Sequence, residues 1–396
     1  MTGSRTPAAR GFAMPAEWEP HEATWLAWPH HRGDWPGRMG AIPWVAADVA
    51  KKIAAGEDVR VLVRDGGEER RALGHLGRQG VDLSRVRLHR IPTDRFWTRD
   101  AGPIVLRHRD GRRRAAAGFA FNAWAKYRDH GRDARVAGRA SRAIGVPLLP
   151  VVRGGRKVVL EGGAIDVNGK GTILATEECL LDPRVQVRNP GFGRVDYEAV
   201  FRDVLGAPCA IWLGRGVAGD DTHGHVDDVA RFVGPRTIVL AREDDPSDPN
   251  HAPLSENRER LASARLEDGS RPEVVDLPMP RPVAFEGRRL PASYANFYVS
   301  NAAVLVPTFN DPADRTALGI LGELFPGRAV LGIHALDLVW GLGTIHCMTQ
   351  QLPRRSAGDR PAGAEPVWRP PQAPGGAPGK PRRGRLPVRR QRRTRT

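Results

Sequence analysis

The chain has 396 residues, 40% apolar and 27% charged, an ordinary composition for a soluble globular protein with room for one large domain. No run approaches 18 consecutive apolar residues, which excludes a membrane-spanning helix, and the first thirteen residues lack the apolar stretch of a secretory signal. Three scattered cysteines, Cys179, Cys209 and Cys347, are too few for a disulfide framework, so a cytoplasmic chain with reduced thiols is expected. The net charge of +16 is concentrated at one end: residues 353–396 hold 12 Arg and one Lys against Asp359 and Glu365. The other 352 residues hold 48 basic and 43 acidic side chains. Specific nucleic-acid binding by the body is therefore not expected, although the basic end could hold polyanions nonspecifically.

Residues 1–13 are expected to lie outside the fold as a disordered extension, because Met14 opens the better start, MPAEWEPHEATWLAWPH. A helix is expected over 45–55, followed by strands over 59–63, 86–91 and 104–107. Next come a helix over 133–144 and strands over 158–160 and 172–175, then a helix over 196–205 and a strand over 237–241. The last are a strand over 303–306, a helix over 314–324 and a strand over 329–333. The strand segments are rich in Val, Ile and Leu and are bounded by Gly, Pro or Asp. Asp133, Asp196 and Asp314 are plausible N-caps, and Gly206 and Gly327 plausible stops. No Pro/Ser-rich linker divides residues 14–352, which read as one α/β domain. Residues 353–396 carry nine Pro and six Gly with few large apolar side chains, so they are expected to be a disordered tail.

Four stretches could carry chemistry. The densest is Asp220–Asp228, DDTHGHVDD, with four carboxylates and two imidazoles. As a strand, its period of two would put His223, His225 and Asp227 on one face. That face could hold a metal, since His-x-His-x-Asp is similar to a zinc-hydrolase motif. It could instead pair a histidine acid/base with a carboxylate that grips a cation. In FWTRDAGP (96–103), Trp97 and Asp100 could clamp a planar guanidinium by stacking and paired hydrogen bonds, or Arg99 and Asp100 could form a surface ion pair. In VLEGGAID (159–166), Glu161 precedes two glycines that permit close approach, and could orient a histidine. In GLGTIHCMTQQ (341–351), Cys347 could be a thiolate nucleophile. Cys179 and Cys209 read as buried small hydrophobes.

Together these stretches resemble the agmatine deiminase family, within the guanidino-group-modifying enzymes that include bacterial peptidylarginine deiminases. The matching pieces run in the family's order: MPAEWEPHEATWLAWP, WTRDAGP, FAFNAW, LEGGAID, DDTHGHVDDVARF, LPASYANFYVSNAAVLVPTFNDP and GLGTIHCMTQQ. The resemblance implies an α/β fold, a five-bladed α/β propeller (pentein) of ββαβ-like units, spanning residues 14–352 as the catalytic domain. It implies hydrolysis of a guanidinium to a ureido group with release of ammonia and without a metal or organic cofactor. The substrate would be a small guanidine, agmatine or alternatively the C-terminal arginine of a peptide, and the enzyme a possible homodimer. Residue by residue, Cys347 matches the nucleophile and His225 the general acid/base. Asp100 and Asp227 match the carboxylates on the guanidinium, and Glu161 the carboxylate behind the histidine; Trp97, by its place beside Asp100, is expected as a substrate contact. His223 matches no catalytic role. Basic side chains at the pocket mouth would favour a carboxylate-bearing substrate; Arg95, Arg99, Lys126, Arg128 and Arg153 lie near the motifs.

Overall fold

In a computed structural model, residues 6–355 are described. Five sheets of three or four strands repeat one pattern, accompanied by two small hairpins among the described residues. In the first, the order is Thr349–Pro353, His21–Ala27, Asp58–Val63, Val86–Arg90. The second orders Phe12–Ala13, Ile104–His108, Arg114–Gly118 and Leu148–Pro150. The others are Asp166–Val167, Thr172–Thr176, Cys209–Leu213; Ala230–Phe232, Thr237–Arg242, Glu273–Pro278; and Tyr298–Val299, Ala303–Thr308, Ala329–His334. In each sheet an antiparallel pair is followed by a parallel one. A parallel neighbour needs a crossover, and a helix supplies it each time: Ile42–Ala54, Val136–Ala143, Arg194–Val200, His251–Ser263 or Ala313–Leu324.

The first sheet joins the two ends of the body. Thr349–Pro353 pairs antiparallel with His21–Ala27, so Cys347, two residues before that strand, is tied to the N-terminal motif. The largest core packs Trp25, Trp35, Phe96, Tyr294, Phe297 and Tyr298, all fully buried, each side chain contributing about 1.5–3 kcal/mol of apolar burial. Among the described residues no helix is long and apolar enough to cross a membrane.

Several expectations are corrected. Residues 6–13 belong to the fold: Phe12 and Ala13 pair with His108 and Arg107, and Phe12 is buried. Pro353 and Arg354 are likewise tied down, Pro353 by pairing with His21 and Arg354 by its N–H on the Pro20 carbonyl at 2.8 Å. The rest of the expected extension and tail, residues 1–5 and 356–396, lies outside the described residues. The segment 158–160 is not a strand. Only Val159 makes a bridge, to Ala120, and the Asn189 amide takes the place of a strand partner at 2.9 and 2.8 Å. Asp133 does not cap its helix, because its carboxylate accepts from the N–H groups of Asp94 and Arg95 instead. Gly193 caps the helix assigned to Asp196, whose carboxylate accepts back from the Gly193 N–H at 3.1 Å. That helix ends in a π-turn, Phe201–Leu205, closed by left-handed Gly206 as expected.

Candidate active site

Cys347 lies in a turn over 345–348, reached through the segment 341–344, where Leu342 is left-handed. Asn296, from the loop before Tyr298–Val299, organises this turn. Its Oδ1 accepts from the Thr344 hydroxyl at 2.6 Å and the His346 N–H at 3.1 Å, and its Nδ2 donates to Cys347 Sγ at 3.2 Å. A donor on the sulfur favours the thiolate. Burial opposes it, and so do the charges of Asp227, Asp228 and Asp100; together they push the Cys347 thiol well above its ordinary range.

The one-turn helix Thr98–Ala101 is stitched to the cysteine segment. Arg99 N–H bonds the Cys347 carbonyl at 3.1 Å, and the Thr98 hydroxyl bonds the Met348 carbonyl at 2.6 Å. This turns Asp100 into the site. Its Oδ2 accepts from Trp124 Nε1 at 2.9 Å and its Oδ1 from the Gly163 N–H at 3.1 Å. Burial, then the nearby charges of Asp227 and Glu161, raise its carboxyl to about 6 against the opposing pull of His225. Arg99 does not pair with Asp100. Successive helical side chains diverge by about 100°, and Arg99 instead reaches Glu17 at 3.0 Å and Gln351 at 2.7 Å.

The stretch 220–228 is not a strand. The Asp220 carboxylate gathers the N–H groups of Thr222, Gly224 and His225 at 2.8, 2.7 and 3.0 Å, which curls the chain. His223 and Gly224 have φ of 65° and 88°, and Val226–Asp228 is a single 3-10 turn. His223 therefore turns away to Asp182 at 3.0 Å, and the His-x-His-x-Asp residues do not converge as ligands. His225 turns inward, its Nδ1 3.9 Å from Asp100 and its Nε2 4.0 Å from Glu161. Against the burial penalty, Asp100, Cys179 and Asp227 raise His225 well above its ordinary value, so the buried ring favours the imidazolium. Asp227 bonds His346 through Oδ2 at 2.6 Å, and that oxygen lies 3.9 Å from Cys347 Sγ. Against burial, His346, His225 and Arg231 hold Asp227 low, while adjacent Asp228 is pushed up by burial and by the charge of Asp227.

Glu161 is fully buried. Its Oε1 accepts from Arg188 Nε at 3.1 Å. Three buried atoms of this group have no hydrogen-bond partner: Glu161 Oε2, His225 Nε2 and Asp227 Oδ1. Gly163 lies at the hub of these residues. A Cβ there would fall 2.6 Å from His225 Nδ1 and 3.0 Å from both Asp100 and Asp227, so only glycine fits. All five chemistry-bearing residues expected from the sequence thus come together. Trp97 joins them as a wall, its indole 3.0 Å from the place a Cβ on Gly343 would occupy.

A pocket of about 270 Å³ opens onto Asp100, Trp97, Trp124 and Cys347. At its mouth Asp34 pairs with Arg95. Asp221 accepts from Lys126 at 2.6 Å, the Tyr127 hydroxyl at 2.6 Å and Arg288 at 3.2 Å. Of the basic residues near the motifs, Arg95 lines the pocket and Lys126 pairs with Asp221 on its wall. Arg99 is buried behind the cysteine, Arg153 pairs with Asp196 on another face, and Arg128 is exposed.

Sequence reasoning missed Trp124, Arg188, Asn296, His346 and Arg288. Trp124 and Asn296 sit inside the matching stretches FAFNAW and LPASYANFY, which could have flagged them; Arg188 carries no such signal. The other surprise is Cys179, buried as expected but beside His225 and Glu161, with one ligand atom of each within 4.8 Å of the others. Arg188 on Glu161 places a fixed positive charge beside that trio, which disfavours a second cation there. Cys209 is only half-buried, with its thiol on the Arg265 carbonyl.

Residues 13–353 match the family model of the Porphyromonas-type peptidyl-arginine deiminases. The chain belongs to this family. Its relatives include the agmatine deiminases of Pseudomonas fluorescens SBW25 and Ectopseudomonas mendocina ymp. Each is 37% identical, over 88% of this chain and 97% of the first protein, and over 89% and 98% for the second. Among solved structures, the agmatine deiminase of Enterococcus faecalis superposes with a TM-score of 0.79 at 29% identity, covering 90% of this chain and 99% of that one. A cysteine-to-serine variant of the agmatine deiminase of C. jejuni, with substrate bound, gives 0.76 at 26% identity, covering 87% and 97%. The mixed α/β fold is the one these structures share.

Proposed function

We propose that this chain hydrolyses the guanidinium of agmatine to a ureido group, giving N-carbamoylputrescine and ammonia. The observation that carries the reading is that Asp100, His225 and Asp227 meet around Gly163, with Glu161 4.0 Å from His225 and Cys347 Sγ 3.9 Å from Asp227, while Asp100 and Cys347 line one pocket. We also read the five sheets as the five blades of a pentein propeller around that pocket, with residues 14–352 as the catalytic domain. A cytoplasmic homodimer acting on a small-molecule substrate completes the proposal.

A guanidinium carbon is a poor electrophile, because the charge is spread over three nitrogens. Asp100 and the free Oδ1 of Asp227 grip the nitrogens, and the indoles of Trp97 and Trp124 pack beside the planar cation. Arrival of this cation offsets the carboxylate charges that raise the Cys347 thiol, so substrate itself favours the thiolate. The thiolate attacks the guanidinium carbon, forming a C–S bond. The His225 imidazolium gives its proton to one terminal nitrogen, the C–N bond breaks, and ammonia leaves an S-alkylthiouronium on Cys347. Neutral His225, backed by Glu161, then takes a proton from water. The hydroxide adds to the same carbon; the C–S bond then breaks as the new hydroxyl gives up its proton to solvent, where ammonia takes it up as ammonium, returning the thiolate and the ureido product. Each step has a named side chain, and none calls for a metal.

The distal ammonium of agmatine faces Asp34 and Asp221 at the mouth. Arg95, Lys126 and Arg288 support a second reading, a peptide C-terminal arginine, because these cations would suit a carboxylate. Ureido-product formation from agmatine, free arginine and a C-terminal-arginine peptide, measured side by side with a chelator present, decides between them. Turnover confined to agmatine and insensitive to chelator supports the first reading; turnover confined to the peptide replaces it with the second.

A further inference from the structure

The opening motif MPAEWEPH takes no part in the steps above, yet it sends Glu17 to the back of the site. Glu17 is buried and both its oxygens are engaged. Oε1 pairs with Arg231 at 2.9 Å and accepts from the Val299 N–H at 2.9 Å; Oε2 accepts from Arg99 at 3.0 Å. His346 Nε2 lies 2.8 Å from that same Oε2. The other ring nitrogen, Nδ1, lies 2.6 Å from Asp227 Oδ2. His346 is itself buried, and its backbone is pinned by Asn296 and by Arg99, whose Nε donates to its carbonyl at 3.3 Å.

A carboxylate only accepts, and a neutral imidazole has one N–H to give. Two carboxylates, one on each ring nitrogen, therefore call for the doubly protonated ring. Glu17 is ionised: against burial, Arg231, His346 and Arg99 hold its carboxyl well below the usual range. The consequence falls on Asp227. One of its oxygens is tied to His346, and the other, Oδ1, is buried without a hydrogen-bond partner. Untied, a buried carboxylate would rotate to satisfy whichever oxygen found a donor.

We propose that His346 is a positioning residue for guanidinium capture: an imidazolium clamped between Glu17 and Asp227 that locks one oxygen of Asp227 and so presents the other to the substrate. This rests on the deiminase reading for the identity of the substrate, but the clamp itself does not. Glu17, Arg99 and Arg231 form its anchor, which gives the opening motif a role in binding the substrate.

The test uses full-length protein carrying Cys347→Ala, so that agmatine binds without turning over. In His346→Asn the introduced amide nitrogen can stand where Nδ1 stood and still donate to Asp227. In His346→Gln it stands nearer the place of Nε2 and reaches only Glu17. Calorimetry should show agmatine bound by His346→Asn within about threefold of the His346 protein and by His346→Gln about 10- to 100-fold more weakly, the worth of one charge-assisted hydrogen bond. Equal weakening in both variants would overturn the proposal. Nitrogen-15 resonances of His346 should show both ring nitrogens protonated at neutral pH, whether or not either variant folds; a ring with one N–H would overturn the clamp. If the His346 protein binds no guanidine but its ring is doubly protonated, the deiminase reading and with it the substrate-presenting role fall, and the clamp alone stands.

Discussion

Replacing Asp100 with asparagine should cost activity and remove a loss of stability that grows with pH. Asp100 is 6% exposed and its carboxyl is raised from 3.8 to about 6, by burial first, then by Asp227 and Glu161 against His225. The folded state therefore holds this proton more tightly than the unfolded chain. Folding takes up a proton between about pH 4 and pH 6, so the stability this group contributes falls as pH rises through that window. By pH 7.5 the loss is about 3 kcal/mol, of which about 1 kcal/mol is already lost at pH 4.5. Asparagine carries no such charge. It does carry a constant cost of about 1–3 kcal/mol, because Trp124 and Gly163 both donate to the carboxylate and an amide can accept at only one of its two atoms. Comparing two pH values cancels that constant. Measured by calorimetry against wild type, the stability of Asp100→Asn should improve by about 2 kcal/mol between pH 4.5 and pH 7.5, a relative shift of a few degrees in the thermal midpoint. At the same time kcat/KM for agmatine should fall by roughly two to three orders of magnitude, the cost of breaking a buried carboxylate–guanidinium pair. A midpoint difference that is the same at both pH values would refute the account of a strained, buried Asp100.

Trp124→Phe removes the indole N–H that holds the Asp100 carboxyl down, so Asp100 should titrate higher and the acid limb of kcat/KM should move to higher pH; an unmoved limb would contradict this. Gly163→Ala drives a methyl 2.6 Å from His225 Nδ1 and should abolish turnover, with circular dichroism checking that the fold survives. Removing residues 356–396 should leave kcat and KM for agmatine within about twofold, since the last strand and its partner His21–Ala27 stay intact; a large loss would give the tail a part in the enzyme.

Of the strands that flank the crossover helices, Asp58–Val63, Thr172–Thr176, Thr237–Arg242, Ala303–Thr308 and Ala329–His334 were legible because they are apolar, short and bounded by turn residues, whereas His21–Ala27, Arg114–Gly118, Leu148–Pro150, Cys209–Leu213 and Glu273–Pro278 were not read. Elements that lack that contrast were not. Gly66–Gln79 holds four glycines and buries only Glu68, Ala72 and Leu76. Thr349–Pro353 reads as polar and is an end strand of the first sheet, yet all five residues are buried, because Ile104–His108 and Thr98–Ala101 pack against it. The helix His251–Ser263 carries Pro253 in its first turn, which argues against a helix only if the Pro lies farther in.

The site was legible in its residue types and not in its geometry. Cys347, His225, Glu161, Asp100 and Asp227 stand in dense local motifs, so their chemistry could be named. The period-two reading of His223, His225 and Asp227 failed because Asp220 draws three backbone N–H groups around itself, an arrangement no alternation rule registers. The Arg99–Asp100 pair failed because neighbours on a helical turn face different ways. Partners such as Arg188, Asn296 and Glu17 come from remote segments of the chain, and only the topology delivers them.

The central claim is that Cys347 carries the covalent bond. Wild-type protein mixed with agmatine, quenched in acid within the first turnovers and weighed intact, should show a species heavier by agmatine less ammonia, mapping to the peptide that contains Cys347 and absent from Cys347→Ala. Full turnover of agmatine by Cys347→Ala, or an adduct on Cys179 or Cys209 instead, would contradict it.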